Sequence, residues 1–387
     1  MKNFNFIAPT KILFGKNKVN ELGGEIKLHG SRVLFAYGTG SIKKTGLYDK
    51  VSGQLKSSGI EYFELSGIKP NPDISSVREG IRICRENKID LILAVGGGSV
   101  IDCAKAIAAG VPYEGDAWDF LMRKAAVKDP LPLGTILTLA ATGSEMNGNS
   151  VISNSETNEK RAFGDDSLRP KFSILDPVLT FSVNKWQTAA GTVDIISHIF
   201  EQYFTPDKGT FVQDAIAEGI VNTCIKYGPV AVESPENYEA RANLMWSSSL
   251  ALNGLTVTGK MFGDWATHNI EHELSAYNDL THGAGLAILF PVWLEYVLDK
   301  MRAPKIAQMA RNAFGVTETD DMKAAEEGIK RIREFFKSLG MPSTLSEVDI
   351  SPEHFDRMAE SACRFGALGV FKRLGPQQVK EILNMAL

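Results

Sequence analysis

Residues 90–105 decide the fold, and they read DLILAVGGGSVIDCAK. The run Asp90–Val95 is almost entirely apolar, as in a buried β-strand, and helical character begins at Ser99. The glycines Gly96–Gly98 let the backbone approach a ligand closely. A helix N-terminus adds free N–H groups and a partial positive charge, and we expect Ser99 to cap it. We therefore predict that this turn holds a phosphate group.

Two alternatives stand beside this interpretation. A glycine triplet before a helix is also compatible with a tight turn that binds nothing. Asp102 either contacts a cofactor or, at the spacing Ser99-x-x-Asp102, completes a capping box at the start of the helix.

Strand-like and helix-like segments alternate on both sides of this stretch. Such alternation is typical of parallel βαβ units with helices on both faces of the sheet, so the first half is predicted to be α/β. The predicted segments are extended runs at Phe4–Ile7 and Lys11–Phe14, strands at Arg32–Tyr37, 60–66, Thr135–Leu139 and Phe172–Asp176, and helices at Asn17–Leu28, from Leu47 to Leu55, and at Ile74–Asn87.

A second loop, rich in hydroxyl groups, follows the strand Thr135–Leu139 and contains Thr138 and Thr142. Ligands of open parallel sheets lie beyond the carboxyl ends of the strands. We therefore expect this loop and the glycine triplet to meet one dinucleotide. Lys160 and Arg161 follow a polar segment and are interpreted as solvated surface charges.

Beyond about residue 180 the pattern becomes helical. We therefore predict two domains, an α/β domain at residues 1–180 and an all-α domain at residues 181–387, with a site between them. The predicted helices are 186–204, 211–226, 235–253, 284–300, 304–314, 322–339 and 351–363.

Four of the six histidines fall within residues 192–283. Asp194 and His198, and likewise His268 and His272, are spaced i,i+4, which places each pair on one face of a helix; His282 follows. One carboxylate and neutral imidazoles suit a divalent ion such as Fe²⁺ or Zn²⁺, whereas Mg²⁺ and Ca²⁺ prefer oxygen ligands. The alternative is a set of hydrogen-bonded core histidines and a first-turn helix acid.

Composition excludes several classes of protein. The chain has 387 residues, 44% of them hydrophobic, and a net charge of −4, which provides no general attraction to nucleic acid or to anionic membranes. The N-terminus lacks the apolar core of a signal peptide, and no apolar run is long enough to cross a membrane, so we expect a cytoplasmic protein. The cysteines are far apart and suggest neither disulfides nor a thiolate zinc site; Cys84 and Cys103 are interpreted as apolar residues of helix faces.

Together these motifs resemble the iron-containing, group III alcohol dehydrogenases over nearly the whole chain. The likeness is to their butanol dehydrogenase branch, through residues 37–44, YGTGSIKK, and 270–277, IEHELSAY. One departure is Thr39, where many members of that branch have glycine.

The resemblance implies a Rossmann-like dinucleotide-binding domain followed by a helical metal-binding domain, an architecture like that of dehydroquinate synthase, and often a homodimer. It also implies an NAD(P)H-linked enzyme acting on a small alcohol or aldehyde, with His272 near the substrate but off the metal. The implied metal ligands are Asp194, His198, His268 and His282, and the implied cofactor contacts are Asn71, Gly96, Gly97, Gly98, Ser99, Thr138, Thr142 and Lys160.

The first Rossmann-like strand is predicted at Arg32–Tyr37, and the turn that follows it, Gly38–Ser41, indicates which nicotinamide cofactor is used. An enzyme specific for NAD commonly has a carboxylate there, which repels a 2′-phosphate, and no Asp or Glu occurs from Arg32 to Tyr48. We therefore predict that NADP(H) is preferred, while NAD(H) stays possible. The alternative is a glycine-rich turn that accepts both. The phosphate contacts are predicted at Gly38, Thr39, Gly40 and Ser41, with Lys43 or Lys44 adding charge.

Two competing functions fit the sequence less well. A lyase similar to dehydroquinate synthase would need several Lys and Arg for an anionic substrate, whereas aromatic and aliphatic residues dominate near the histidines. A non-catalytic metal or nucleotide sensor would lack part of the ligand set, and no part is missing here.

Overall fold

The structure, a computed structural model, describes residues 1–387. A parallel sheet of six strands has the order β1-β8-β5-β4-β2-β3, and a separate antiparallel hairpin consists of β6 and β7. The strands are β1 Lys11–Phe14, β2 Arg32–Gly38, β3 Glu61–Ile68, β4 Leu91–Gly96, β5 Leu133–Leu137, β6 Asn149–Asn154, β7 Glu159–Gly164 and β8 Phe172–Leu175.

Both faces of the sheet are buried, which explains why its strands are apolar runs without polar alternation. Val33, Phe35 and Tyr37 of β2 pack in one apolar layer. Leu34 and Ala36, which point to the opposite face, pack in the other layer. This is the doubly covered parallel sheet predicted from the alternation of strands and helices.

Helices connect these strands, and they are α1 Leu22–Lys27, α2 Ser41–Lys44, α3 Leu47–Ser57, α4 Ile74–Glu86, α5 Gly98–Gly110 and α6 Trp118–Leu121. Cys84 on α4 and Cys103 on α5 are buried in the apolar layers, as predicted. The single helix predicted at Asn17–Leu28 is wrong. A 3₁₀ turn at Lys18–Glu21 precedes the short α1, whose first turn contains two glycines that weaken a helix.

Two further segments differ from the sequence prediction. Phe4–Ile7 forms no strand, and the side chains of Phe4 and Ile7 are exposed. Lys160 and Arg161 are not solvated, because they lie on β7 of the hairpin with exposures of 5% and 8%. The hairpin was missed because its sequence is polar and its strands gain their burial from neighbouring elements.

The second half of the chain is helical, as predicted. Its helices are α7 Lys185–Tyr203, α8 Phe211–Glu233, α9 Tyr238–Ala251, α10 Ala266–Asn278, α11 His282–Val297, α12 Ala303–Phe314, α13 Asp321–Ser338, α14 Phe355–Ala362 and α15 Pro376–Met385. The last of these was not predicted, although Pro376 occupies the first helical turn where proline is favoured. No helix combines the length and apolar character needed to cross a membrane.

The chain forms two compact units. The sheet unit comprises Ile7–Val183 and Pro235–Ser249, and the helical unit comprises Met1–Phe6, Asn184–Ser234 and Leu250–Leu387.

Two segments lie in a different unit from the one that the predicted boundary at residue 180 assigns to them. Most of α9 belongs to the sheet unit, where the Ser248 hydroxyl accepts a hydrogen bond from Gly143 N–H at 3.3 Å. Residues 1–6 belong to the helical unit, where Lys2 N–H donates to the carbonyl of Gly259 at 2.8 Å. Both assignments depend on tertiary hydrogen bonds that leave no local pattern in the sequence.

Candidate functional site

Three buried helices of the helical unit carry the histidines. Asn184 is the N-cap of α7, and its side chain accepts a hydrogen bond from Gln187 N–H at 2.8 Å. Asp194 and His198 lie one turn apart on this helix and are 2% and 4% exposed. The left-handed residue Trp265 precedes α10, and α11 begins at His282 itself.

The oxygen Oδ1 of Asp194 is the point on which the group converges. It lies 3.6 Å from Nδ1 of His198, 3.9 Å from Nε2 of His268 and 3.6 Å from Nε2 of His282. These separations exceed those of hydrogen bonds. The candidate ligand atoms of Asp194, His268 and His282 all lie within 4.8 Å of one another.

Three buried atoms of this group have no hydrogen-bond partner: Oδ1 of Asp194, Nδ1 of His198 and Nε2 of His268. An unpaired polar atom in a protein interior is costly and therefore rare. Three of them around one point are explained by a shared cation. The donor set, one carboxylate and imidazoles, fits Zn²⁺ or Fe²⁺ and fits Mg²⁺ or Ca²⁺ poorly.

The electrostatics of the group also favour a cation. Burial opposes the ionised form of Asp194, but the three histidines around it outweigh burial and lower its pKa below the ordinary range. Burial lowers the pKa of His198 to about 3, despite the neighbouring carboxylate. Burial would also lower the pKa of His268, but Asp194 and Glu201 raise it to about 9. The carboxylates therefore favour positive charge at this position.

Two fully buried glutamates complete the group, and neither was predicted. Oε1 of Glu201 lies 2.8 Å from Nδ1 of His268, and Oε2 of Glu271 contacts Nδ1 of His282. Glu201 lies seven residues after Asp194, and Glu271 lies three residues after His268, so both share a helical face with a candidate ligand. That spacing was the signal available in the sequence.

His272 lies beside the metal candidates, one turn after His268 on α10. It is 8% exposed, and its ring centroid is 5.7 Å from that of His282. Its nearest candidate metal partners are Glu271 and His282, which form a second group with it.

Trp265 provides an apolar surface next to the histidines. Its ring centroid lies 5.3 Å from that of His268 and 6.3 Å from that of His198. Its φ of 61° is left-handed, which is rare for a bulky residue. Hydrogen bonds hold this conformation, since Trp265 N–H donates to Glu201 at 2.5 Å and the indole N–H donates to the carbonyl of Phe262 at 2.8 Å.

In the sheet unit, the glycine triplet and the threonine loop leave neighbouring strands. Gly96 lies opposite Leu137 at the carboxyl ends of β4 and β5. A Cβ on Gly98 would lie 2.4 Å from the Thr142 hydroxyl oxygen, so the two loops touch and only glycine fits. Thr138 N–H donates to the carbonyl of Gly96 at 3.0 Å.

The start of α5 corrects one prediction and excludes one of the two alternatives for Asp102. Its N-cap is Gly97 rather than Ser99, and no side chain caps it. Asp102 does not complete a capping box, because its carboxylate accepts hydrogen bonds from the Ser144 hydroxyl at 2.5 Å and from Val151 N–H at 3.0 Å. The N–H groups at the start of α5 therefore lack any side-chain acceptor, as an anion-binding helix start requires.

The turn after β2 contains the predicted phosphate contacts Gly38 to Ser41. Gly40 has a φ of 122° and precedes α2. The ammonium group of Lys43 lies over the rings of Tyr37 and Tyr48, at 5.2 and 4.8 Å from their centroids. Both tyrosine hydroxyls donate to Glu64 at 2.6 Å. Glu64 is an acid on the neighbouring β3, outside the stretch from Arg32 to Tyr48 that contains no acid.

The other two implied cofactor contacts also lie in the sheet unit. Asn71 follows β3 in a left-handed conformation, with a φ of 50°. Lys160 is buried on β7.

Sequence profiles of one protein family cover both units. The profile for iron-containing alcohol dehydrogenase matches residues 9–177, and the C-terminal profile for the Fe-containing alcohol dehydrogenase family matches residues 188–387.

Individual relatives agree with these profiles. NADH-dependent butanol dehydrogenase A of Clostridium acetobutylicum is 53% identical over 99% of each chain. NADPH-dependent aldehyde reductase YqhD of Escherichia coli is 43% identical over 90% of this chain and 89% of that protein. A crystal structure of NADH-dependent butanol dehydrogenase A from Thermotoga maritima has a TM-score of 0.96 at 43% identity and covers 100% of this chain and 99% of its own. The chain therefore belongs to the iron-containing alcohol dehydrogenase family and is butanol dehydrogenase-like.

Proposed function

We propose that this chain interconverts short to medium chain aldehydes and alcohols, with one divalent metal ion held by Asp194, His198, His268 and His282. Its class of activity, NAD(P)-dependent alcohol dehydrogenase and aldehyde reductase, follows from its family and from relatives at 43% to 53% identity. The observation that carries the metal site is a set of three buried, unpartnered atoms, in which the two ring nitrogens lie 3.6 and 3.9 Å from Oδ1 of Asp194.

The chemistry is divided between bound groups and the chain's own residues. A divalent ion at this site supplies Lewis acidity toward a carbonyl or alcohol oxygen, and a nicotinamide cofactor supplies or accepts the hydride. His272 lies beside His282, and we assign it to hold the substrate or to pass a proton to its oxygen. Trp265 excludes water from one side of the histidines and favours an apolar substrate chain.

The sheet unit holds the cofactor in this proposal. The glycine turn Gly96–Ser99 would bind the pyrophosphate through the uncapped N–H groups of α5. Thr138 and Thr142, on the adjoining loop, would add hydroxyl contacts, and Asn71 and Lys160 are further proposed contacts. Asp102 would act indirectly, by holding α5 against Ser144 and β6.

We further propose that NADPH is preferred over NADH. The turn from Gly38 to Ser41 has small residues and no acid, and Lys43 lies close by. Glu64 acts against this preference, but its two oxygens already accept hydrogen bonds from Tyr37 and Tyr48. The relatives differ on this point. The butanol dehydrogenase of Clostridium acetobutylicum is named NADH-dependent, and the aldehyde reductase of Escherichia coli is named NADPH-dependent.

Three further assignments complete the proposal, and the last two rest on the family likeness. The ion is Fe²⁺ or Zn²⁺, because the donor set suits both and the availability of each metal selects between them. The assembly is a homodimer, and the enzyme acts in the cytoplasm. Light scattering of the purified protein tests the assembly, and elemental analysis of protein purified without added metal tests the ion.

A rate panel tests the function. Protein of known metal content is assayed with NADPH and NADH against a series of linear aldehydes, beside His282→Ala. We expect turnover of butanal and its neighbours, a higher kcat/KM with NADPH, and loss of both metal and activity in the variant. Full activity of rigorously metal-free protein would refute the metal assignment. A higher kcat/KM with NADH would refute the cofactor preference alone.

A further inference from the structure

Two histidines of the metal group each have a buried carboxylate on the ring atom that faces away from Asp194. Nδ1 of His268 lies 2.8 Å from Glu201, and Nδ1 of His282 contacts Glu271. The opposite nitrogens, Nε2 of each ring, lie 3.9 and 3.6 Å from Oδ1 of Asp194. Both glutamates are 0% exposed.

A carboxylate in this position determines the state of the imidazole. It accepts a hydrogen bond from Nδ1 and thereby keeps the ring hydrogen on that atom. Nε2 then carries the lone pair that a metal needs, and the negative partner makes that lone pair a stronger donor. The hydrogen bond also restricts rotation of the ring about its bond to Cβ.

Glu201 is fixed by the helix that carries His268. It accepts hydrogen bonds from Trp265 N–H at 2.5 Å, from His268 N–H at 3.0 Å and from the Thr267 hydroxyl. The N-cap residue Trp265 makes no capping hydrogen bond with its side chain, and Asp264 accepts one from Ala266 N–H at 3.2 Å. Glu201 on α7 accepts two further N–H groups at the start of this helix and orients the His268 ring at the same time.

Glu271 is fixed by packing as well as by hydrogen bonds. It accepts a hydrogen bond from the Ser275 hydroxyl one turn later on α10. Across from it, a Cβ on Gly285 would lie 2.7 Å from Cγ of Glu271, so α11 closes over this side chain. The carboxylate has little freedom to leave His282.

His198 is oriented differently from the other two histidines. Its Nδ1 faces Asp194 at 3.6 Å and has no hydrogen-bond partner, and its ring lies near those of Trp265 and His268, with centroids 6.3 and 4.8 Å away. Ring packing orients this side chain, whereas hydrogen bonds to carboxylates orient the other two.

We propose that Glu201 and Glu271 are positioning residues that fix the tautomer and direction of His268 and His282 for metal binding. The inference rests on the proposed function, because it requires a metal at Asp194. Both glutamates act through the histidines and are assigned no contact with substrate or cofactor.

Metal affinity tests this assignment without relying on activity. Glu201→Gln and Glu271→Gln keep the size of the side chain and remove its charge. Stripped protein is titrated with Zn²⁺ in competition with a chromophoric chelator, and the visible spectrum of the Co²⁺-loaded protein is recorded. We expect Zn²⁺ affinity about 10- to 100-fold below wild type and an altered Co²⁺ spectrum in each variant.

Glu218→Gln is the matched control. Glu218 lies on α8, and it accepts hydrogen bonds from the Tyr203 hydroxyl at 2.6 Å and from Gln308 at 2.9 Å. This substitution removes the charge of a carboxylate in the same unit that is hydrogen-bonded to Tyr203 and Gln308 rather than to a histidine. We therefore expect wild-type Zn²⁺ affinity.

Thermal unfolding of the metal-free proteins separates positioning from structural support, since Glu201 also caps α10. Wild-type Zn²⁺ affinity in the folded variants, with or without a lower Tm, would overturn the inference. If Glu201→Gln fails to fold, Glu271→Gln decides the question alone. Wild-type protein that binds no Zn²⁺ would refute the proposed metal site itself, whereas normal wild-type binding with unchanged variants refutes only the positioning role.

Discussion

At the scale of single residues, His272 and the candidate ligand His268 share the helix α10 but differ in their surroundings. His268 approaches Asp194 through Nε2, whereas His272, one turn later, lies beside His282 and Glu271. The four proposed ligands, Asp194, His198, His268 and His282, already supply the number of groups that a tetrahedral site uses. The position of His272 therefore favours a role in substrate binding or proton transfer.

The first prediction concerns His272→Ala. We expect full metal content and a kcat lowered about 100-fold, because a positioned acid or base contributes on this order to a rate. Metal analysis and steady-state kinetics on one preparation measure both. His354→Ala, which removes a half-buried histidine that packs on Tyr277 near the C-terminal end of α10, should retain wild-type kcat. Metal loss as severe as in His282→Ala would contradict the assignment.

The second prediction concerns Gly38→Asp in the turn after β2. A carboxylate there would repel a 2′-phosphate and accept hydrogen bonds from ribose hydroxyls. We expect the ratio of kcat/KM for NADPH over NADH to fall by the equivalent of about 1–3 kcal/mol.

Two controls separate charge from shape in that experiment. A Cβ at Gly38 would lie 3.3 Å from the carbonyl oxygen of Ile68, so Gly38→Ala measures the steric effect of this close contact. Gly53→Asp adds the same charge on α3, where a Cβ meets nothing within 4 Å. An unchanged ratio in Gly38→Asp would show that this turn does not select the cofactor.

At the scale of helices and strands, the approach of α11 to α7 brings His282 to Asp194. Gly283 makes this approach possible, because a Cβ there would lie 2.1 Å from the carbonyl oxygen of Ala190. The clash would be with backbone, which cannot rotate away, so α11 would have to move.

The third prediction follows for Gly283→Ala. We expect weaker Zn²⁺ binding and a loss of stability of about 1–3 kcal/mol, as for overpacked interiors, measured by chelator competition and by urea unfolding. Gly219→Ala on α8 is the matched control, since a Cβ there meets nothing within 4 Å. Because alanine has a higher helix propensity than glycine, Gly219→Ala should be as stable as wild type or slightly more stable. Wild-type stability and affinity in Gly283→Ala would contradict the packing argument.

At the scale of the whole molecule, a metal ion would join helices that are distant in sequence. Asp194 and His198 lie on α7, His268 on α10 and His282 on α11, all within the helical unit. An ion that binds only the folded state stabilises it by mass action.

The fourth prediction concerns metal removal. Free Zn²⁺ at 100 times its Kd should stabilise the native protein by about 2.7 kcal/mol relative to the stripped protein. The measurement is Tm in a chelator and in buffered Zn²⁺, with His282→Ala as the control that should show a much smaller shift. An equal shift in that variant would mean that Zn²⁺ stabilises the protein at another site.

Local patterns in the sequence were sufficient for the architecture of both halves. The apolar run before Gly96 predicted a buried parallel strand because such a strand is covered on both faces. The i,i+4 spacing of Asp194 and His198 predicted a shared helical face, because helix geometry depends only on residues that are close in the chain. These inferences use periodicity alone.

Only the tertiary structure decided which groups meet. The pairing of Glu201 with His268 joins α7 to α10, and the burial of Lys160 depends on the hairpin of β6 and β7. Gly97 rather than Ser99 became the cap of α5, and Asp102 turned to Ser144 and Val151. For Glu201 and Asp102, a contact between segments distant in sequence satisfied a polar group. The sequence by itself thus determined most of the elements and the candidate ligands, whereas hydrogen bonds between distant segments decided how those ligands are held.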